Sequence, residues 1–255
     1  MTASLPTWRA LRIWRRNLES WKRFAVSFFV ANLGEPLFFL LAMGYGLGRF
    51  VTKIEDVPYA VFLAPGIIAS AAMNAATFET TFGSFTRMTE QHTYVAILAT
   101  PCSVADIVAG DVLWAATKSL LAVCLILAIT AVFGLLPSPL ALGLVPVGFL
   151  VGLMFAGLGM VVTARSPSYD FFSYYFTFIS MMFLFAGVFF PLEGLPAWAR
   201  ALAWVLPLTH AVALCRGLTS GTPDVALLGD LAWIVVATVV VFVAGERMVR
   251  RRLLV

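Results

Sequence analysis

Four ionisable side chains occupy positions where they could do chemistry in a largely apolar chain. Glu35 and Glu79 fall inside long hydrophobic stretches, whereas the only two histidines of the sequence, His92 and His210, fall between such stretches. A charged group at the centre of a membrane helix costs roughly 2.5–3.5 kcal/mol on insertion scales, so each glutamate needs a physical reason. Two explanations stay open: a contact for substrate or an internal hydrogen-bond donor, or a structural carboxyl that caps a neighbouring helix.

Motifs for enzymatic or metal chemistry are missing. The sequence has no G-x-x-x-x-G-K-[ST] phosphate loop, no G-x-S-x-G elbow and no pair of histidines on one helix face. Cys102, Cys124 and Cys215 lack the spacing of metal ligands. We therefore predict no catalytic residue, no metal site and no cofactor bound by this chain.

Hydrophobic stretches that could cross a membrane fill most of the 255 residues. Charged residues make up 12% of the chain, against about 25% in soluble domains, and apolar residues make up 61%. A helix needs about 20 apolar residues to cross the hydrocarbon core of a bilayer. The sequence predicts an all-α, polytopic membrane protein, with residues 1–255 forming a single domain of six transmembrane helices. These are Phe24–Leu47, Tyr59–Phe85, Ser119–Leu136, Leu140–Val162, Phe171–Phe190 and Leu227–Ala244.

Basic residues predict the orientation of these helices. Under the six-helix topology, thirteen of the 17 lysines and arginines fall on the side that holds both chain ends. Basic residues are preferentially retained in the cytoplasm, so both termini are predicted to be cytoplasmic. The basic face is expected to attract anionic membrane lipids, and it does not indicate nucleic-acid binding because topology alone accounts for its position.

Two segments outside the spans have their own patterns. Residues 5–22 place Trp8, Leu11, Trp14, Leu18 and Trp21 on one helical stripe among basic residues, which predicts an amphipathic helix on the inner leaflet; the alternative is a solvated basic arm. Residues 191–224 contain an apolar run that prolines interrupt. This second segment is predicted to form an external, partly re-entrant hairpin.

Three of the predicted spans present faces that could line a substrate path. The candidate residues are Asn32, Glu35 and Phe39 on the first span, Asn74 and Thr77 on the second, and Tyr174, Tyr175 and Phe178 on the fifth. Small hydroxylated faces more often pack membrane helices together, and aromatic faces usually meet lipid. Aromatic rings also stack on sugars, so a route for an amphiphilic lipid or glycolipid is the functional alternative.

The loop at residues 86–103 combines polar groups with bulky apolar ones. Tyr94, Ile97 and Leu98 lie close together, and Thr100 with Pro101 would end a short helix. A short helix with an apolar face is suited to docking on a soluble partner protein. The alternative is a solvated connector.

Several motifs of this chain are similar to those of one transporter family. The segments are T-E-Q-H-T-Y-V-A-I-L-A-T-P (Thr89–Pro101), N-L-G-E-P-L-F-F-L (Asn32–Leu40), G-M-V-V-T-A-R-S-P-S-Y-D (Gly159–Asp170) and V-L-P-L-T-H (Val205–His210). Together with their order along the chain, they resemble the type-2 permeases of ATP-binding-cassette (ABC) exporters. Within that family they are most similar to the nodulation-factor exporter permeases, which move lipo-chitooligosaccharides.

The resemblance implies a complete transport assembly in the bacterial inner membrane. Two copies of the chain would form a homodimer, and two copies of a separate ATPase subunit would bind ATP and Mg²⁺ and drive it. The loop at residues 86–103 would be the coupling element, with contacts from Glu90, Tyr94, Ile97, Leu98, Thr100 and Pro101 to the ATPase. The stretch Gln91–Val95 departs from the more common acidic and leucine-rich form of that loop.

Two other classes of function compete with this interpretation. An ion-coupled secondary transporter would use Glu35 or Glu79 as a proton site. A membrane enzyme acting on lipid-linked sugars would need a cluster of polar groups at one interface, and the external side offers only scattered ones. The enzyme is the weakest of the three.

Overall fold

The computed structural model describes residues 5–51, 53–54, 56–221 and 224–254, except for the side chains at 31–33, 35 and 45. Ten α-helices and one two-stranded hairpin follow one another along this part of the chain. They are α1 (Ala10–Trp21), α2 (Ala25–Leu41), β1 (Lys53–Ile54), β2 (Val57–Pro58), α3 (Tyr59–Phe78), α4 (Thr93–Leu98), α5 (Val104–Val132), α6 (Leu144–Arg165), α7 (Phe171–Phe185), α8 (Ala197–Val205), α9 (Pro207–Ser220) and α10 (Ala226–Leu253).

Four helical stretches in the described residues are long and apolar enough to cross a membrane. They are Tyr59–Glu90, Val104–Val132, Pro139–Arg165 and Ala226–Leu253. Helix α7 is apolar but has 15 residues, and α2 has 17. The membrane-protein prediction and the dominance of helices are therefore confirmed, while the count of six spans stays a prediction.

Helix boundaries differ from the sequence-based ones because several helices run past the hydrocarbon-length stretch. Helix α3 continues through two π-helical turns, Glu79–Gly83 and Thr86–Glu90, so the first residues of the predicted 86–103 loop are helical. Hydropathy marks only the apolar part of a helix, and these extensions are polar. Helix α7, by contrast, ends at Phe185 rather than at Phe190, because Gly187 adopts a left-handed conformation (φ 77°).

The core lies around α3, which packs against α5, α6 and α9. Small residues allow this close approach. A Cβ atom added at Gly148 or Gly152 of α6 would lie 2.6 Å from the side chains of Val123 and Ser119 on α5. Gly148 and Gly152 thus form a small-residue ridge that brings two helix backbones together.

Helices α8 and α9 meet at an angle of 88° at one end of the bundle, in the segment predicted to form the external hairpin. Pro207 begins α9, and the Thr209 hydroxyl donates to the Ala203 carbonyl across the bend (2.6 Å). Helix α4 lies beyond the opposite end of α3. We refer to these as the α8–α9 end and the α4 end of the bundle.

Helix α1 occupies the predicted amphipathic segment and packs against α5. Ala10, Ile13 and Asn17 form its buried face, and Ile13 lies directly over Gly110, where a Cβ atom would be 2.7 Å from the Ile13 side chain. Trp8 and Leu11 on the predicted stripe remain exposed. That α1 lies on a membrane surface stays a prediction.

Candidate functional site at the α4 end of the bundle

A buried carboxylate, Asp111 of α5, joins three other elements at the α4 end. It accepts hydrogen bonds from Asn17 of α1 (2.6 Å), Ser84 of the α3 extension (3.1 Å) and Tyr94 of α4, and it forms an ion pair with Arg87 (3.2 Å). Asp111 is 1% exposed. A buried charge is tolerated when it is paired and fully hydrogen-bonded, and this one has four partners.

Glu79 lies beside this hub in two further ion pairs. Its carboxylate binds Arg87 (2.8 Å) and Lys118 of α5. The carboxylate folds back over Gly83, where a Cβ atom would lie 2.8 Å from Glu79 Oε1, so the glycine makes room for it. This geometry supports a structural role for Glu79, although its carboxylate forms ion pairs rather than capping a neighbouring helix.

The cations of this cluster are held from several sides. Arg87 bridges Glu79 and Asp111 and also donates to the Ser84 hydroxyl (3.1 Å). Lys118 lies 5.4 Å from the ring centre of Phe28 and 5.7 Å from that of Trp114. Ion pairs between buried charges add little to the free energy of folding, because desolvation of the charges offsets their attraction. The cluster is nevertheless suited to fixing the positions of α1, α3, α4 and α5 relative to one another.

The predicted coupling residues, on α4 and on either side of it, differ in their exposure. Glu90, Thr100 and Pro101 are exposed, and Ile97 and Leu98 are half-buried. Tyr94 is 0% exposed and points into the bundle, so it cannot contact a partner protein in this conformation. Burial raises the pKa of the Tyr94 phenol well above its usual value, which keeps the hydroxyl protonated as a donor to Asp111.

The segment after α4 is hydrogen-bonded to the residues that immediately precede α1. Ser103 and Asp106 form a capping box at the start of α5, and Asp106 also accepts from the Thr7 backbone (2.6 Å) and hydroxyl (2.8 Å). Arg9 donates to the carbonyl of Pro101. Capping satisfies the free N–H groups of the first helical turn, so α5 begins at a defined residue. Helix α4 therefore has fixed attachments on both sides.

The predicted path residues fall into several groups. The side chains of Asn32 and Glu35 lie outside the described part. Phe39 and Asn74 line a small cavity of about 20 Å³ between α2, α3 and α7. Thr77 is buried, and the buried Tyr175 hydroxyl lies beside it. Tyr174 and Phe178 are 76% and 45% exposed, so the aromatic residues of α7 are split between its buried and exposed faces.

A second polar cluster surrounds His210 at the α8–α9 end. Its Nδ1 faces Asp230 of α10 (2.7 Å), its Nε2 faces the Trp204 carbonyl of α8 (2.9 Å), and its ring stacks on Trp233 (4.3 Å between centres). Each ring nitrogen lies within hydrogen-bond distance of an oxygen atom from a different helix. His210 thereby ties α8, α9 and α10 together.

Sequence reasoning missed both networks. The sequence patterns give Arg87 and Lys118 only a topological role, among the basic residues of the predicted cytoplasmic side, and they single out neither Asp111 nor Asn17. The helical continuation from Glu79 to Arg87, which brings these side chains to the same end of the bundle, is evident only in the structure. In the described part of the chain, no group of three His, Cys, Asp or Glu residues is arranged to hold a metal ion.

Comparison with known proteins gives consistent matches. The family model described as "ABC-2 type transporter" matches residues 10–219. The chain is similar to nodulation protein J of Rhizobium meliloti (strain 1021), with 38% identity over 99% of this chain and 97% of that protein. It is also similar to nodulation protein J of Rhizobium leguminosarum bv. trifolii (41%; 96% and 94%) and of Bradyrhizobium diazoefficiens (39%; 100% and 97%).

Proposed function

Because this chain belongs to the ABC-2 type transporter family, we propose that it is the membrane subunit of an ATP-driven exporter with a lipo-oligosaccharide or other lipid-linked glycan as cargo. Its likeness to proteins called nodulation protein J, together with the motifs shared with nodulation-factor exporter permeases, supports this cargo class. Two copies of the chain would pair in the bacterial inner membrane with two copies of an ATPase subunit. Both termini and the α4 end would face the cytoplasm.

One observation carries the mechanism: Tyr94 anchors α4 to the Asp111 hub while the opposite face of α4 stays exposed. Closure of the ATPase dimer would press on the exposed face, which includes Val95 (58% exposed). Because α4 is anchored to α1, α3 and α5 through one carboxylate, that push would move these helices together. A ligand that binds one arrangement more tightly shifts the equilibrium between two packings.

The chain's own residues transmit this motion and hydrolyse nothing. ATP and Mg²⁺ would be held by the partner subunit, which supplies the energy of nucleotide binding and hydrolysis. Of the predicted coupling residues, we assign Glu90, Ile97, Leu98, Thr100 and Pro101 to the contact with the ATPase and Tyr94 to anchoring. Phe39, Asn74, Thr77, Tyr174, Tyr175 and Phe178 remain the proposed residues of the cargo path, with Asn32 and Glu35.

The ion-coupled alternative is weakened by the state of Glu79. A carboxylate in two ion pairs is typical of a structural network, whereas a proton carrier must be free to release and regain its proton. Only Glu35 remains as a candidate for that role. The alternative predicts transport that stops when the proton gradient collapses and continues without ATP.

Reconstitution tests the proposal directly. The chain would be co-expressed with the proposed phosphate-loop ATPase subunit, purified, and placed in vesicles with a fluorescent lipo-chitooligosaccharide. We expect the two subunits to co-purify and the cargo to move only when ATP and Mg²⁺ are supplied. An ATPase variant that binds but does not hydrolyse ATP is the control. Transport by the chain alone, powered by a proton gradient, would overturn the proposal.

A further inference from the structure

A cavity of about 490 Å³ opens beside the charge cluster at the α4 end. One wall is the C-terminal half of α1, from Arg16 to Trp21. The α3 extension and α5 form the other walls, through Glu79, Arg87 and Lys118 among others. The cavity therefore lies between the amphipathic helix and two long apolar helices, where the polar head of a membrane amphiphile would lie.

The charges around this cavity do not balance. Three cations line it, Arg16, Arg87 and Lys118, but only one carboxylate, Glu79. Glu79 forms ion pairs with Arg87 and Lys118. Asp111, which does not line the cavity, forms an ion pair with Arg87. Within the described residues, Arg16 has no side-chain hydrogen bond or ion pair. Arg16 is half-buried, and this burial lowers the pKa of its guanidinium.

Unused hydrogen-bond donors accompany the excess positive charge. The guanidinium of Arg16 carries five N–H donors that are without a side-chain partner in the described part of the chain, and an anion in the cavity would accept two of them in parallel. Phe24, 66% exposed, and the half-buried Phe82 line the same cavity and offer apolar contact.

We propose that this cavity binds the phosphate head group of an anionic membrane phospholipid, with Arg16 as its principal ligand. A guanidinium matches a phosphate with two parallel N–H···O bonds, and aromatic side chains at the cavity are suited to the start of an acyl chain. The bound phosphate compensates the charge that Arg16 brings. Because Arg87 lines the cavity and also holds Asp111, lipid binding and the position of α4 are linked.

A lipid titration with matched variants tests this site without relying on transport. The chain is purified in a neutral detergent, and its thermal unfolding is followed with added phosphatidylglycerol or with phosphatidylcholine of the same acyl chains. Arg16→Gln is compared with Arg15→Gln, because Arg15 lies on the same helix but is exposed, so both variants lose one positive charge. Arg16→Lys, which keeps the charge but loses the two-pronged geometry, is the second variant.

We expect phosphatidylglycerol, but not phosphatidylcholine, to raise the unfolding temperature of the wild type and of Arg15→Gln. In Arg16→Gln and Arg16→Lys, the concentration needed for half of this shift should rise at least tenfold. If phosphatidylglycerol shifted the unfolding temperatures of Arg15→Gln and Arg16→Gln equally, the proposed binding site would be wrong. The lipid would then be attracted by the basic surface in general. Inorganic phosphate acting as well as the lipid would overturn the lipid assignment and indicate a soluble oxyanion.

Discussion

Replacing Tyr94 by phenylalanine should loosen α4 without unfolding the protein. The change removes one hydroxyl, which donates to the Asp111 carboxylate from a fully buried position. A hydrogen bond to a charged group contributes about 1.5–3 kcal/mol. Asp111 keeps its bonds to Asn17, Ser84 and Arg87, so the carboxylate is not orphaned and the lower end of this range applies. About 1.5 kcal/mol corresponds to a tenfold increase in the population with α4 detached.

Hydrogen exchange measures this population directly. The amide groups of α4 that bond within the helix, such as Ala96 to the His92 carbonyl, exchange only when the segment opens. We expect their exchange in Tyr94→Phe to be about ten times faster than in the wild type, with the long helices unchanged. Tyr174→Phe removes the same atom from a residue that is 76% exposed and serves as the matched control.

Two results would refute the reasoning on Tyr94. Exchange of the α4 amides at the wild-type rate in Tyr94→Phe would show that the hydroxyl does not anchor the helix. Unfolding of the whole bundle would show that Tyr94 is a core residue with no separate role. With the ATPase subunit bound, faster opening of α4 in Tyr94→Phe should also lower the amount of cargo exported per ATP hydrolysed. If that amount stayed at the wild-type value, the anchoring of α4 by Tyr94 would not contribute to coupling.

Three further substitutions test other parts of the structure. Gly159→Ala places a Cβ atom against the Thr80 hydroxyl and should cost about 1–3 kcal/mol of stability, measured by thermal unfolding, whereas Gly229→Ala meets nothing within 4 Å and should be harmless. Ile97→Pro should break α4 and abolish export with normal membrane insertion, and normal cargo-stimulated ATP turnover would contradict the coupling role. His210→Ala leaves Asp230 buried without its partner and should cost about 3 kcal/mol, clearly more than Asp230→Asn, which keeps an acceptor for the ring; equal losses would argue against this pairing.

Sequence patterns were informative where a single physical rule applies. Apolar length located the long helices, and the prolines of the α8–α9 segment marked a bend that the structure places at Pro207. Helical periodicity located α1 but not the face it buries, because contact with Gly110 of α5 is a tertiary property. A wheel drawn from Trp8 to Trp21 contains no information about which side meets another helix.

Pairing between distant charges was beyond the same rules. Glu79 lies 39 residues from Lys118, and Asp111 lies 94 residues from Asn17, so neither pair has a local signature. For the aromatic residues of α7, helical spacing predicts a shared face that the structure does not have. Tyr175 and Phe178 lie three positions apart, as neighbours on a helix surface do, yet Tyr175 is buried and Phe178 is exposed. Exposure depends on which positions of α7 the neighbouring helices cover, and the sequence of α7 does not contain that information.

The π-helical turns of α3 change how its surface can be probed. Each widened turn holds an extra residue, and one residue corresponds to about 100° of rotation, so side chains before Glu79 and after Gly83 no longer share a common phase. Cysteine pairs for cross-linking α3 to its neighbours α5 and α6 must therefore be chosen separately on either side of that turn. A single seven-residue repeat carried through it would place the distal cysteines on the wrong side of the helix.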